Sequence, residues 1–153
     1  MTLYEDAANL NQFRQNPWKF QQTFETPLQD LNNFVEAILS AGQKITGGCL
    51  TIDLWVFEPS NLINLLRRHS IAPQYKHGLT VAATGTEEVA ALLQACLGDW
   101  LDFIFVPVPD ELVIYADHDE FTTFFANEQA SLTRVVDAMA SRGYRLENYE
   151  RTF

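Results

Sequence analysis

The chain has 153 residues and a mass of 17.4 kDa, with 47% hydrophobic and 20% charged residues, which is the mixture of one ordinary folded domain rather than of a disordered chain. Twenty acidic residues against ten basic ones give a formal net charge of −10 and a pI near 4.6. A surface of that sign argues against binding to nucleic acid or to an anionic membrane, since both need basic residues to meet phosphates, and it favours a basic partner.

In chain order, residues 2–13 place Leu3, Ala7, Leu10 and Phe13 near helical spacing and predict a short amphipathic helix. This opening has neither a basic n-region nor an apolar h-region, so no secretory leader is expected. No apolar run approaches the roughly 18 residues of a membrane span, and a cytoplasmic location is the expectation. Residues 14–25, rich in Gln and in rings (Trp18, Phe20, Phe24) and interrupted by Pro17, read as an irregular aromatic arm.

Thr26-Pro27 offers a helix start, and Leu28, Leu31, Val35, Ile38 and Leu39 then share one face up to Gly42, so a helix is predicted over 27–41. The β-branched and aromatic run 49–57, CLTIDLWVF, predicts a strand. A helix from Ser60 to His69, a strand over 79–84 and a helix opened by Thr86 with Glu87 and Glu88 in its first turn follow. Residues 102–126 read as a three-stranded meander with strands near 103–106, 112–116 and 121–125. Its last two strands are joined by Asp117-His118-Asp119-Glu120 as an antiparallel hairpin. A helix over 128–141 stopped by Gly143 and a terminal edge strand within 144–151 complete the chain. The order predicts one compact domain of α+β (or α/β) class, a mixed β-sheet with helices packed on it.

The charge is unevenly placed. From His77 to Thr133 there is no Lys or Arg, where ordinary composition would put about five or six, yet ten of the acidic residues lie there; elsewhere ten acidic residues face ten basic ones. If those carboxylates share one surface, they form a concentrated negative patch that a basic partner relieves. The candidate contact residues are Asp99, Trp100, Asp110, Glu111, Asp117, His118, Asp119, Glu120 and Phe121, with Trp100 and Phe121 as aromatic anchors. The plain alternative puts both rings in the core.

No motif names a reaction. The hairpin turn lacks the spacing and the Gly of a calcium loop, and no H-E-x-x-H or C-x-x-C accompanies it. There is no G-x-S-x-G, and Gly47-Gly48 and Gly85 match neither a P-loop nor a dinucleotide fingerprint. Cys49 and Cys96 sit in apolar patterns and are expected as two buried free thiols in preference to one disulfide. His69, after Arg67-Arg68, belongs to a helix end.

These observations favour a non-catalytic binding protein, with no cofactor and no metal, that neutralises a basic protein partner. An immunity protein or antitoxin inhibiting a nuclease-type toxin is the most economical case, because a nuclease must be basic to hold phosphates. Two alternatives stand beside it. One is a small metal-dependent enzyme using Asp53, His77, His118 and nearby carboxylates; the other is a scaffold or regulatory domain whose aromatic arm makes the contact.

Overall fold

The computed structural model describes residues 1–72 and 78–153. His77 lies outside the described residues. Eight strands form a single sheet: β1 (Thr2–Glu5), β2 (Phe20–Glu25), β3 (Gly47–Leu54), β4 (Leu79–Thr84), β5 (Asp102–Val108), β6 (Val113–Ala116), β7 (Phe121–Ala126) and β8 (Leu146–Glu147). Five helices accompany them: α1 (Ala7–Gln15), α2 (Leu31–Ser40), α3 (Ser60–Arg68), α4 (Thr86–Gly98) and α5 (Gln129–Ser141). The spatial order is β1-β4-β3-β5-β6-β7-β2-β8, and every pairing is antiparallel. Antiparallel pairing throughout makes this an α+β fold in one compact domain.

Period-two alternation sorts the strand residues onto two faces. Phe103 and Phe105 of β5, Leu50 and Ile52 of β3, Phe124 of β7 and Phe24 of β2 point to one side. There they form the large core with Phe34 and Val35 of α2, Leu62 and Leu66 of α3, Leu92 and Leu93 of α4, and Val135 and Met139 of α5. The opposite side carries Ile104, Val113, Tyr115 and Phe125, covered by Leu10 and Phe13 of α1. Hydroxyls fill the rest of that second face in cross-strand pairs: Thr51 with Thr80 at 2.9 Å and Thr23 with Thr123 at 2.8 Å, all four fully buried. Paired in this way, they lose little on leaving water.

The predicted meander, the strand at 79–84 and the helices from Ser60, Thr86 and residue 128 are present at nearly their expected bounds. The first 25 residues differ. Residues 2–5 are an edge strand on β4, and the helix begins only after Asp6, whose carboxylate accepts the Ala8 N–H at 3.1 Å. The arm predicted as irregular contains β2, an interior strand between β7 and β8. Its Gln residues suggested a loop because they bind neighbouring backbone: Gln21 to residue 151, and Gln22 to the carbonyls of Thr23 and Glu147. The helix expected from Pro27 opens instead as a 3-10 turn, Leu28–Asp30, because the Thr26 hydroxyl is taken by Thr122 at 2.7 Å and caps nothing. The run 49–57 leaves the sheet at Leu54, so the expected strand ends three residues early.

The close approach of β3 to β5 depends on Gly48. A Cβ there would lie 2.4 Å from Phe105 Cζ and 2.8 Å from the Val106 carbonyl oxygen. Both neighbours are fixed in the sheet, so Gly48→Ala is expected to destabilise the fold by about 2–3 kcal/mol, the usual cost of overpacking, read as a lowered midpoint in urea unfolding.

Candidate functional site

The end of the sheet where β3 finishes and β5 begins gathers most of the proposed contact residues. Here α4 turns into β5 through a Schellman motif: Leu101 N–H donates to the Cys96 carbonyl at 3.2 Å and Trp100 N–H to that of Leu97 at 3.2 Å. The residue after the cap in this motif adopts the left-handed conformation that favours glycine, as Gly143 does after α5 with φ 87°. After α4 that position is Trp100, with φ 52° and a side chain 38% exposed. Its ring packs edge-on against Phe57 at 5.8 Å, and Leu54, Val56 and Phe57 are themselves exposed.

The β6–β7 hairpin ends on the same side. Asp117 closes it: its Oδ1 accepts the N–H groups of Asp119 at 2.9 Å and Phe121 at 3.1 Å, and its own N–H donates to the Phe121 carbonyl at 3.0 Å. Glu120 occupies a left-handed position with φ 67°, and its carbonyl accepts the Thr26 N–H at 2.7 Å. The loop is tied to β5 through Asp102, whose Oδ1 accepts the His118 N–H at 2.8 Å and meets His118 Nδ1 at 2.7 Å. Asp102 in turn is the register partner of Leu54. Trp100, the exposed apolar loop after β3 and the hairpin therefore lie at the same end of the sheet.

The carboxylates are less uniform than their spacing suggests. Asp99 is buried and caps α3, accepting the N–H groups of Asn61 at 3.1 Å and Leu62 at 2.8 Å, so it is withdrawn from any partner. Burial raises its pKa, and those two amides pull it back only in part. Asp102 is also raised by burial, which outweighs its bond to His118. Asp117 is consumed by the turn and by an ion pair with Arg151. Asp119 and Glu120 remain exposed, with the Asp119 side chain 73% accessible. Neither Glu120 nor Glu58, in the loop after β3, has a cationic partner among the described residues. Phe121 is half-buried and stacks on Tyr149 at 5.2 Å and 14°.

Asp110 and Glu111 do not join this surface. They sit in the β5–β6 connection at the opposite end of the sheet, beside a groove of about 550 Å³ lined by Asn9, Gln12, Trp18 and Asn127. Glu111 there faces Arg134 at 3.5 Å. The acidic block is thus divided between two ends, because a strand's two loops lie at its opposite termini.

Of the residues named for a metal or catalytic reading, Asp53 and His118 are engaged internally. Asp53 pairs with Arg14 through Oδ1 at 2.5 Å and accepts the Tyr115 hydroxyl on Oδ2 at 2.8 Å. Among the described residues no three His, Cys, Asp or Glu side chains are placed to share a metal ion. Cys96 is buried in α4, while Cys49 is only half-buried, with the Tyr4 hydroxyl 3.3 Å from its Sγ; both are free thiols. The arm's rings are also taken up: Phe24 is fully buried, Phe20 packs on the core, and Trp18 lies against Phe13 and Phe125. Among the described residues no helix is long and apolar enough to cross a membrane.

Two contributors were missed in the sequence. Leu54, Val56 and Phe57 looked like strand, although an apolar run continuing to a Glu-Pro boundary was a signal that part of it lay beyond the sheet. Arg151 gave no signal, since its partners Tyr115 and Asp117 are more than 30 residues away. Compared with protein-family models, with curated proteins and with solved structures, the chain matches none.

The Asp102–His118 contact makes a testable statement. The hydrogen bond to Asp102 raises the His118 pKa above its ordinary 6.5, against a smaller opposing effect of burial. A raised folded-state value means that this contact stabilises the fold fully below the unfolded pKa and loses that contribution as pH rises through the folded one. His118 is expected to titrate above 6.5 by NMR, and Asp102→Asn is expected to bring the midpoint back down.

Proposed function

We propose that the protein is a non-catalytic binding protein that captures and neutralises a basic protein partner, and that the hairpin end of the sheet is its contact surface. Trp100 carries this reading. An L-residue in a left-handed position costs about 1–2 kcal/mol relative to the right-handed form, and the ring held there leaves more than a third of its surface to solvent. Such strain is a mark of functional sites. Phe57 packs on the ring, and at the same end of the sheet Leu54 and Val56 add exposed apolar surface and Glu58, Asp119 and Glu120 exposed negative charge. An apolar anchor within a charged rim is the usual anatomy of a specific interface.

The sign of the rim and the net charge of −10 select a basic partner, drawn in by long-range attraction. A nuclease-type toxin is the most specific candidate: its phosphate-binding cleft is basic by necessity, and carboxylates on a rigid hairpin can stand in for phosphates. The protein is then an immunity protein or antitoxin. A cytoplasmic location goes with this role.

The test uses the basic protein that the tagged chain retains at low salt from its native cell, purified and titrated by calorimetry. Trp100→Gly is expected to leave the fold intact, because it relieves the left-handed strain. It should weaken binding at least 30-fold, about 2 kcal/mol, the threshold of a hot spot. Asp119→Lys combined with Glu120→Lys should weaken binding further and flatten its salt dependence. Undiminished affinity in both variants, or a retained partner that is itself acidic, would overturn the proposal.

A further inference from the structure

After β8 the chain takes no regular structure, yet residues 148–153 lie along the second face of the sheet, with the Arg151 side chain turned inward and the Tyr149 and Phe153 rings resting on the face while staying 43% and 55% exposed. Tyr149 stacks on Phe121, and the Arg151 guanidinium lies 4.3 Å from the centre of the Tyr115 ring. Phe153 meets Phe13 edge-on at 5.0 Å and Tyr115 at 5.4 Å. Asn148, Glu150 and Thr152 between them are exposed. The backbone of Arg151 is held from both sides by one carboxamide: its N–H donates to Gln21 Oε1 at 2.7 Å and its carbonyl accepts Gln21 Nε2 at 2.9 Å. A backbone clamp with a pocket for one side chain between two surface rings is a way for a sheet face to read a short extended peptide.

The walls of the central pocket do not depend on the segment that fills it. Tyr115 is held by its bond to Asp53 and by stacking on Phe13 at 5.8 Å. Asp117 is held by the amides of Asp119 and Phe121. An aromatic face beside a fixed carboxylate is a preformed guanidinium site. The resident arginine fills it imperfectly. Its side chain is only 10% exposed, and its Nε is buried with no hydrogen-bond partner, a deficit that typically costs about 1–3 kcal/mol.

We propose that the second face of the sheet carries a recognition site for an arginine in an extended, aromatic-flanked peptide segment. Residues 149–153 occupy it as an exchangeable internal ligand, and an arginine of the basic partner takes the place of Arg151. Only that last step rests on the basic-partner reading. The exchange passes the Asp117 ion pair from Arg151 to the partner's arginine, adding a third hairpin carboxylate to the interface that Asp119 and Glu120 begin.

The pocket is tested without the partner. A fluorescein-labelled peptide copying residues 148–153 is titrated by fluorescence polarisation against the full chain, Arg151→Ala, Arg151→Gln and the double variant Arg151→Ala/Asp117→Asn. A tethered segment competes at an effective concentration in the millimolar range, so the wild type should bind the peptide weakly. Arg151→Ala should bind it at least tenfold more tightly. The same peptide carrying Arg151→Ala, and the double variant, should each lose at least tenfold.

Equal binding by wild type and Arg151→Ala would overturn the site. So would loss of the folded circular-dichroism spectrum in both Arg151→Ala and Arg151→Gln, which would make Arg151 a structural staple. The exchange has its own readout: partner affinity should rise in Arg151→Ala, and an unchanged value overturns it. The response of the Asp119→Lys/Glu120→Lys variant reports separately on whether the partner is recognised by charge at all.

Discussion

An antiparallel sheet of this width has two faces to bury, and the second one is the constraint on which the rest of the molecule depends. Four helices suffice for the first face, with their leucines, valines and phenylalanines closing a single core. Among the described residues the second face has one nine-residue helix and the segment beyond β8. It is therefore built differently, from hydroxyl pairs, a stacked aromatic group and a chain of charges. That chain runs from Arg14 through Asp53 and Tyr115 to Arg151 and Asp117. Each charge in it has a partner, which is what lets polar groups sit so near the centre of a sheet. Burial and the Asp53 bond push the Tyr115 hydroxyl far above its ordinary pKa, so it stays a neutral donor throughout this network.

The same constraint explains how the excess negative charge is distributed. Carboxylates near the second face or at helix ends are consumed by the fold: Asp99 by the amides of α3, Asp102 by His118, and Asp117 by the turn and Arg151. At the hairpin itself the carboxylates left to solvent are those of Asp119 and Glu120, two residues and not a broad acidic wall. A small charged rim around apolar rings discriminates partners better than a diffuse charge does, because apolar contact requires close fit while charge acts at a distance.

Legibility in the sequence followed the strength of the local pattern. The helices from Ser60, Thr86 and residue 128 and the meander were readable because each buries a stripe or a face whose period appears within ten residues. β2 was hidden because its polarity serves contacts with residues 147 and 151, more than 120 positions away. β1 reads as the start of α1 because four apolar residues at helical spacing, Leu3, Ala7, Leu10 and Phe13, span both elements, and only tertiary pairing with β4 separates them. Site residues divided in the same way. Trp100, Asp119 and Glu120 are exposed, although the context of Trp100 fitted a core ring equally, and Asp99 has a cap's role that depends on Asn61 at the start of α3, 38 residues earlier.

Backbone conformation carries information that residue type alone does not. Three described non-glycine residues have positive φ: Ser70, Trp100 and Glu120. Ser70 ends α3 with the same pair of bonds that Trp100 makes after α4, Ile71 N–H to the Leu66 carbonyl and Ser70 N–H to that of Arg67. A small polar side chain at such a position is a mild departure from glycine. A tryptophan and a glutamate are larger ones, and both stand at the hairpin end, where neither side chain is buried. A fold optimised for stability alone would place glycine at both. Their presence together where the apolar loop and the acidic rim meet is what distinguishes this end of the sheet from the amide-lined groove at the other, which has volume and carboxylates but no strained residue among those described.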